Sequence, residues 1–158
     1  MRTAFFLALL LAGAPSAAEE APAPPPAPAA PEPAAAPAKG TLTIDISGFR
    51  NDTGRAKVAL YRTKDDYLKK AEMVGRGKIE ANKATVVLEG VEPGTVVISA
   101  FHDENDNEKL DTNWIGMPKE GTGVSNNAKG HFGPPKFDDA KFVVAPGANR
   151  IAIKLVYL

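Results

Sequence analysis

From residue 40 onward, apolar and polar positions alternate in short runs. TLTIDIS (41–47) places Leu42, Ile44 and Ile46 on one face and Thr43, Asp45 and Ser47 on the other. That period of two is the mark of a strand buried on one side. GFRNDTGR then brings Asn51, Asp52 and Gly54 together for a hairpin turn, because these residues suit the backbone shapes that turns demand. AKVALYR returns with Ala56, Val58 and Leu60 inward, or the opposite set with Tyr61. TKDDYLKKAEM (63–73) has helical spacing and mixed charge, and it is expected to form a short helical connection.

The strand rhythm resumes with GRGKIE (75–80) and KATVVLEG (83–90), which flank a turn at Ala81, Asn82 and Lys83. VEPGTVVISAFHD (91–103) turns at Pro93–Gly94 and runs apolar from Thr95 to Phe101, as a Pro-Gly pair directs. At the end, KFVVAPGANRIAIKLVYL turns at Pro146–Gly147, and Ile151, Ile153 and Leu155 alternate with Arg150, Ala152 and Lys154. Short, evenly spaced strands divided by turn signals predict an all-β fold, an antiparallel β-sandwich of immunoglobulin-like or transthyretin-like type. Neither a βαβ rhythm nor a glycine-rich phosphate loop is present, which removes the nucleotide-binding folds from consideration.

Residues 103 to about 139 interrupt this meander with a segment far longer than a usual connection, and such loops tend to be functional or disordered. Trp114, Ile115, Met117, Val124, Phe132 and Phe137 favour order, with the loop packed on the sandwich, because disordered segments are poor in large apolar residues. Its glycines and prolines would make the turns.

Composition changes the picture mainly at the N-terminus. MRTAFFLALLLAGAPSAAEE has one positive charge at Arg2, an apolar core from Ala4 to Leu11 and small residues before two acids. This is the pattern of an export signal (1–18) cleaved after Ala18, with an apolar run too short to span a membrane comfortably. Residues 19–40 are almost entirely alanine and proline, which cannot build a core and so predict a disordered, semi-rigid tether. The sandwich is then expected over 41–158, in the bacterial periplasm or secreted, with no membrane span in the mature protein. There is no cysteine, hence neither a disulfide framework nor a lipid-anchored cysteine. The 19 basic and 19 acidic residues balance, giving no reason to expect nucleic acid or an anionic membrane as a partner.

The candidate chemistry lies in DENDNEKLD (103–111), with five carboxylates in nine positions. Packed this closely they repel one another unless water, salt or a cation screens them. Asp103, Asn105, Asn107 and Asp111 offer side-chain oxygens at alternate positions, and Lys109 offers its backbone carbonyl. That is the ligand spacing of a Ca2+ loop, since calcium takes six to eight hard oxygens at roughly 2.3–2.6 Å. Glu104, Asp106 and Glu108 would then face water. Glu108 stands where an EF-hand has glycine, and Trp114 where it has a bidentate glutamate, so a further ligand would come from Glu120, Asp138 or Asp139. The alternative is an acidic, solvated turn held by Asn and Asp side chains.

Catalytic patterns are weak. Ser125 sits in GVSNN and not in a nucleophile elbow, as acyl transfer on an α/β fold would require. His102 and His131 are isolated, where a zinc site would cluster its ligands. Trp114, Lys119, Glu120 and Phe132 are the candidate contacts for a carbohydrate or a cell-envelope protein, although core packing is the simpler expectation for Trp114.

GFRNDTGRAKVALYR, followed by FHDENDNEKLDTNWIGMPKEGTGVSNNAKGHFGPPKFDDAKF, resembles the bacterial domain of unknown function 2141 family over nearly all of residues 41–157. The resemblance implies an exported β-sandwich without an established activity. The acidic loop is also similar to the calcium loops of repeated β-sandwich domains in bacterial adhesins, with Asp103, Asn105, Asn107 and Asp111 on their pattern. Together these readings predict a non-enzymatic accessory or binding module whose cation loop orders residues 103–139, or a structural envelope protein with a metal-free turn, with a small periplasmic hydrolase using His102 or His131 as the remote alternative.

Overall fold

Eight strands form where the alternation places them, in a computed structural model that describes residues 38–131 and 133–158. The expected export signal, the tether through residue 37 and Phe132 lie outside the described residues. The strands are β1 (Gly40–Ser47), β2 (Arg55–Tyr61), β3 (Met73–Lys78), β4 (Lys83–Val91), β5 (Gly94–Asp103), β6 (Thr122–Val124), β7 (Phe142–Val144) and β8 (Gly147–Lys154). A 3-10 turn at Ser125–Asn127 and a single helical turn α1 (Phe137–Ala140) complete the order.

Two sheets result, one ordered β4-β1-β8 and the other β3-β2-β5-β6, with β7 also pairing β5. Leu42, Ile44 and Ile46 are buried, as the alternation predicts, and face Ala56, Val58 and Leu60 of the opposite sheet within one core. The pairing of β1 with β8 is parallel, with Ile44 beside Ile151 and Ile46 beside Ile153. This departs from the purely antiparallel expectation. No hairpin joins the two ends of the chain, so no turn dictates their relative direction.

Gly75 and Gly77 explain why β3 is rich in glycine. A Cβ on Gly75 would lie 2.7 Å from Val86 Cγ1 and 2.8 Å from Leu88 Cδ2, so β3 packs its backbone directly on β4 side chains. The Ala81–Asn82 turn has both residues left-handed, at φ 51° and 60°, the form that suits a two-residue hairpin. Asp52 braces it from the neighbouring turn, accepting the N–H of Ala81 at 3.0 Å and of Asn82 at 2.7 Å.

Residues 63–70 form successive turns and not the expected helix. Leu68 is left-handed at φ 58°, which an α-helix of L-residues does not accommodate. One aromatic fastens the connection: Tyr67 packs edge-on against Tyr61 at 5.5 Å and Phe137 at 5.8 Å. With Val97, Val124 and Ala140, the rings of Tyr67 and Phe137 make a second, smaller core on the outer face of β5. The long segment after β5 is therefore not one loop. It reaches out as far as Glu120, returns as β6, and then lays α1 against the sheet.

Candidate functional site

The distinctive site is the loop between β5 and β6, and its side chains divide by parity. Asp103, the last residue of β5, is fully buried. Its carboxylate accepts the backbone N–H of Asn107 at 3.1 Å and of Glu108 at 2.9 Å. Asn105 and Asn107 each donate an amide N–H to Asp111, at 2.7 and 3.1 Å. Their own amide oxygens accept the N–H of Asn107 and Lys109. The side chains of Asp103, Asn105, Asn107 and Asp111 are thus tied into the loop by hydrogen bonds, while that of Lys109 is exposed.

The even-numbered acids do something else. Asp106 and Glu108 face water, as expected, and Glu104 is half-buried, but each is also paired with a basic side chain. Glu104 meets Arg50 at 2.6–2.7 Å, and Asp106 meets Arg55 at 3.3 Å. Glu108 takes Lys57 at 3.0 Å and Arg76 at 3.2 Å. The pairing has a simple cause: β2 and β3 present Arg55, Lys57 and Arg76 on the outer face of their sheet, and the loop lies across them. The hydrogen bond from Lys57, then the charges of Lys57 and Arg76, hold the Glu108 carboxyl below the usual glutamate range. Single exposed pairs contribute little, whereas a row of them fixes the loop's position.

Glu120 closes the loop from inside. Its two carboxylate oxygens accept the N–H of Glu104 at 2.9 Å and of Asp111 at 3.0 Å. It is only 4% exposed, so it is a strut and not the surface contact expected for it. Gly54 lets the neighbouring turn approach: a Cβ there would stand 2.0 Å from the Asp103 carbonyl oxygen, and its φ is +72°. Glu108 is also left-handed, at φ 66°, so a glutamate adopts the turn for which calcium loops use glycine.

Could these groups hold a calcium ion? Among the described residues no three His, Cys, Asp or Glu side chains gather closely enough to bind a metal by themselves. The loop's donors are two carboxylates, two amides and a carbonyl, all oxygen, which suits a hard cation. No basic side chain lies within ion-pair distance of Asp103, Asp111 or Glu120 among the described residues. The donors suit calcium in type, but the Asp103 carboxylate and the amide oxygens of Asn105 and Asn107 already accept backbone N–H groups, and both amides turn their N–H to Asp111. Asp138, weighed as a further ligand, instead pairs with Lys64 and with Lys141 at 3.0 Å, and Asp139 sits beside it on α1.

Beyond Asp111 the chain makes a narrow hairpin. Thr112 pairs with Pro118, and Lys119 N–H reaches the Asp111 carbonyl at 2.9 Å. Asn113 organises the tip: its side-chain oxygen accepts the N–H of Ile115 at 3.0 Å and of Met117 at 2.9 Å. Its own N–H and carbonyl bond to Met117 and Gly116. Trp114 stands at the apex, 95% exposed. The expectation that Trp114, Ile115 and Met117 pack on the sandwich fails, while Val124 and Phe137 do pack there. A five-residue turn tied to itself by Asn113 cannot reach back to the core. Lys119 is exposed, as a contact residue would be.

The remaining candidates are structural. Ser125 is fully buried, its hydroxyl accepting Ile98 N–H at 3.1 Å and donating to the Ala140 carbonyl at 2.5 Å. His102 is sealed between the Thr53 carbonyl and the Tyr157 hydroxyl, each 2.7 Å away. The basic row that clamps the loop was missed in the sequence, although Arg55 and Lys57 sit on the polar beat of β2 and could have signalled it.

Residues 44–152 match the model of a family described as uncharacterized protein conserved in bacteria, DUF2141. The chain belongs to that family. No curated protein matches the chain. Among solved structures, a pilus-presented adhesin (Spy0125, Cpa) is similar at 15% identity and a TM-score of 0.27 over 76% of this chain. A cysteine-to-alanine mutant of it gives 12% and 0.27 over 75%. The chain spans only about a quarter of the adhesin's length (28%), and so distant a likeness bears on no function. Among the described residues no helix is long and apolar enough to cross a membrane.

Proposed function

We propose that this member of the uncharacterized bacterial family is an exported, non-enzymatic binding module, with the Trp114 hairpin as its recognition element and the 103–111 loop as a calcium-type support. The observation that carries the reading is Trp114 itself. Folding leaves this large apolar ring 95% exposed on a turn locked by its own hydrogen bonds. Exposed aromatics on rigid loops are frequent anchors for partners. The N-terminal apolar run and the alanine–proline stretch support export and tethering.

In this reading Asp103, Asn105, Asn107 and Asp111 give side-chain oxygens and Lys109 its carbonyl, and the bound ion stabilises the base of the hairpin. The carboxylates of Asp103 and Asp111, without a basic partner, support it. One observation favours a metal-free version of the same module: Asn105 and Asn107 turn their N–H groups to Asp111, so the ring closes without an ion. The non-enzymatic part is supported by Ser125 and His102, whose polar atoms are already engaged within the fold.

Thermal unfolding of the chain in EDTA, calcium and magnesium tests the cation. A ligand of the native state at 100 times its Kd adds about 2.7 kcal/mol, a rise of several degrees for a domain of this size. A calcium-specific rise, absent in Asp111→Ala, is expected. No shift at millimolar calcium leaves the metal-free module. Capture of binding partners that disappears in Trp114→Ala tests the recognition hairpin separately.

A further inference from the structure

We propose that the Trp114 hairpin inserts into the interface of a phospholipid surface bearing anionic headgroups, with Lys109 and Lys119 at the level of the phosphates. The inference rests on the recognition-hairpin reading and names the partner class for it. Three apolar side chains share the hairpin, Trp114 at 95% exposure, Ile115 at 60% and Met117 at 42%, and Leu110 at 38% immediately precedes it. A sugar-binding face would set hydrogen-bonding side chains beside its aromatic ring. Here the neighbours of Trp114 are Ile115 and Met117 toward the tip, and the one adjacent amide oxygen, on Asn113, is engaged in the turn.

The same turn bonds satisfy part of the tip's backbone, and unpaired backbone groups are costly in an apolar medium. Asn113 satisfies the N–H groups of Ile115, Gly116 and Met117 between its side chain and its carbonyl, and the Met117 carbonyl accepts the Asn113 N–H. Tryptophan favours the headgroup level of a bilayer, where its ring is half in hydrocarbon and its N–H can meet water.

Charge decides the kind of surface. Glu104, Asp106 and Glu108 are neutralised by Arg50, Arg55, Lys57 and Arg76. Asp103 and Glu120 are buried, and Asp111 holds the two asparagine amides. Lys109 and Lys119 are exposed and have no carboxylate within 4 Å among the described residues. Lys119 ends the second arm of the hairpin, its N–H on the Asp111 carbonyl, and Lys109 lies two residues before Asp111. These two exposed lysines complement an anionic surface and strengthen attachment about five-fold each.

Trp114 is the sole tryptophan of the chain, so its fluorescence reports the tip directly. The test titrates the protein with vesicles of phosphatidylethanolamine and phosphatidylglycerol, and with vesicles of phosphatidylcholine alone. A blue shift and quenching by brominated acyl chains are expected on the anionic vesicles, with binding weakened about 25-fold on the neutral ones. The double variant Lys109→Glu/Lys119→Glu should lose that difference, any contribution of the N-terminal apolar run being common to both proteins. Trp114→Ala should leave the vesicles in sedimentation while its unfolding midpoint stays unchanged, since the ring touches little of the fold. Emission that ignores both vesicles at millimolar lipid, or shifts equally with both, overturns the proposal. So does a blue shift that grows with protein concentration alone, which would seat the tip on a second copy. A shift caused by a soluble protein and not by lipid also overturns it, while preserving the hairpin as the recognition element.

Discussion

Glu120 holds the backbone of Asp111 from within the fold, one carboxylate oxygen 3.0 Å from its N–H while the other takes the N–H of Glu104 at 2.9 Å. A single buried side chain thereby ties together both ends of a nine-residue acidic stretch. Replacement of Glu120 by Ala removes two charge-assisted bonds of about 1.5–3 kcal/mol each, a loss tempered by water entering the gap. Urea denaturation should show a destabilisation of roughly 3 kcal/mol, with faster proteolysis within 104–118. Stability within 0.5 kcal/mol of the parent would mean that the ion pairs on the outer side hold the loop without it.

Acid should release the clamp. The folded state holds the Glu108 carboxyl below its ordinary range, first through its hydrogen bond from Lys57. A carboxylate depressed on folding contributes stability above its unfolded pKa, and that contribution disappears as pH falls through the folded value. The protection of the 104–110 amides from exchange, relative to an unstructured chain at the same pH, should therefore fall below about pH 4, the ordinary glutamate value. In Lys57→Met the titration of Glu108, followed by NMR, should move up toward that ordinary value. An unchanged midpoint would show that Lys57 does not reach it in solution.

Tyr157 joins the tail of the chain to the interior through His102. The Thr53 carbonyl can only accept, so the 2.7 Å contact makes His102 Nε2 the donor and leaves Nδ1 to accept from the Tyr157 hydroxyl. Tyr157→Phe strands a buried ring nitrogen, at a cost of about 1–3 kcal/mol. Calorimetry should find a lower midpoint, and Phe49, stacked edge-on against His102 at 5.1 Å, should change its ring NMR shifts. A neutral substitution would require a water molecule in place of the hydroxyl.

Ser125 separates architecture from chemistry. Its hydroxyl couples the β5 backbone at Ile98 to the end of α1 at Ala140. Ser125→Ala should destabilise by about 1–3 kcal/mol and loosen the packing of Phe137 over Tyr67, visible in near-ultraviolet circular dichroism. Full retention of stability would argue that the bridge is not what positions α1.

The strand pattern was legible because a period of two needs only local information: Leu42, Ile44 and Ile46 point inward whatever they meet there. Turn chemistry at Asn51–Gly54 and Ala81–Lys83 was equally local. The spacing of Asn105, Asn107 and Asp111 was local too, and their side chains bond to one another, while Asp103 takes the backbone of Asn107 and Glu108. The expected helix at 63–73 failed because Leu68 adopts a left-handed backbone and Tyr67 found its partners, Tyr61 and Phe137, on other elements. Composition read Trp114 as a residue with a core to fill, and only the folded chain shows that the tip of its hairpin has none within reach.

What the sequence determined by itself is therefore the set of elements and the facing of each residue along its own strand. Tertiary structure alone decided that β1 and β8 run parallel, that Arg50, Arg55, Lys57 and Arg76 lie beneath the acidic loop, and that Glu120 is a buried strut. The reason is range. Alternation and turns act between neighbours in the chain, whereas charge pairing and burial act between residues that only folding brings within a few ångströms.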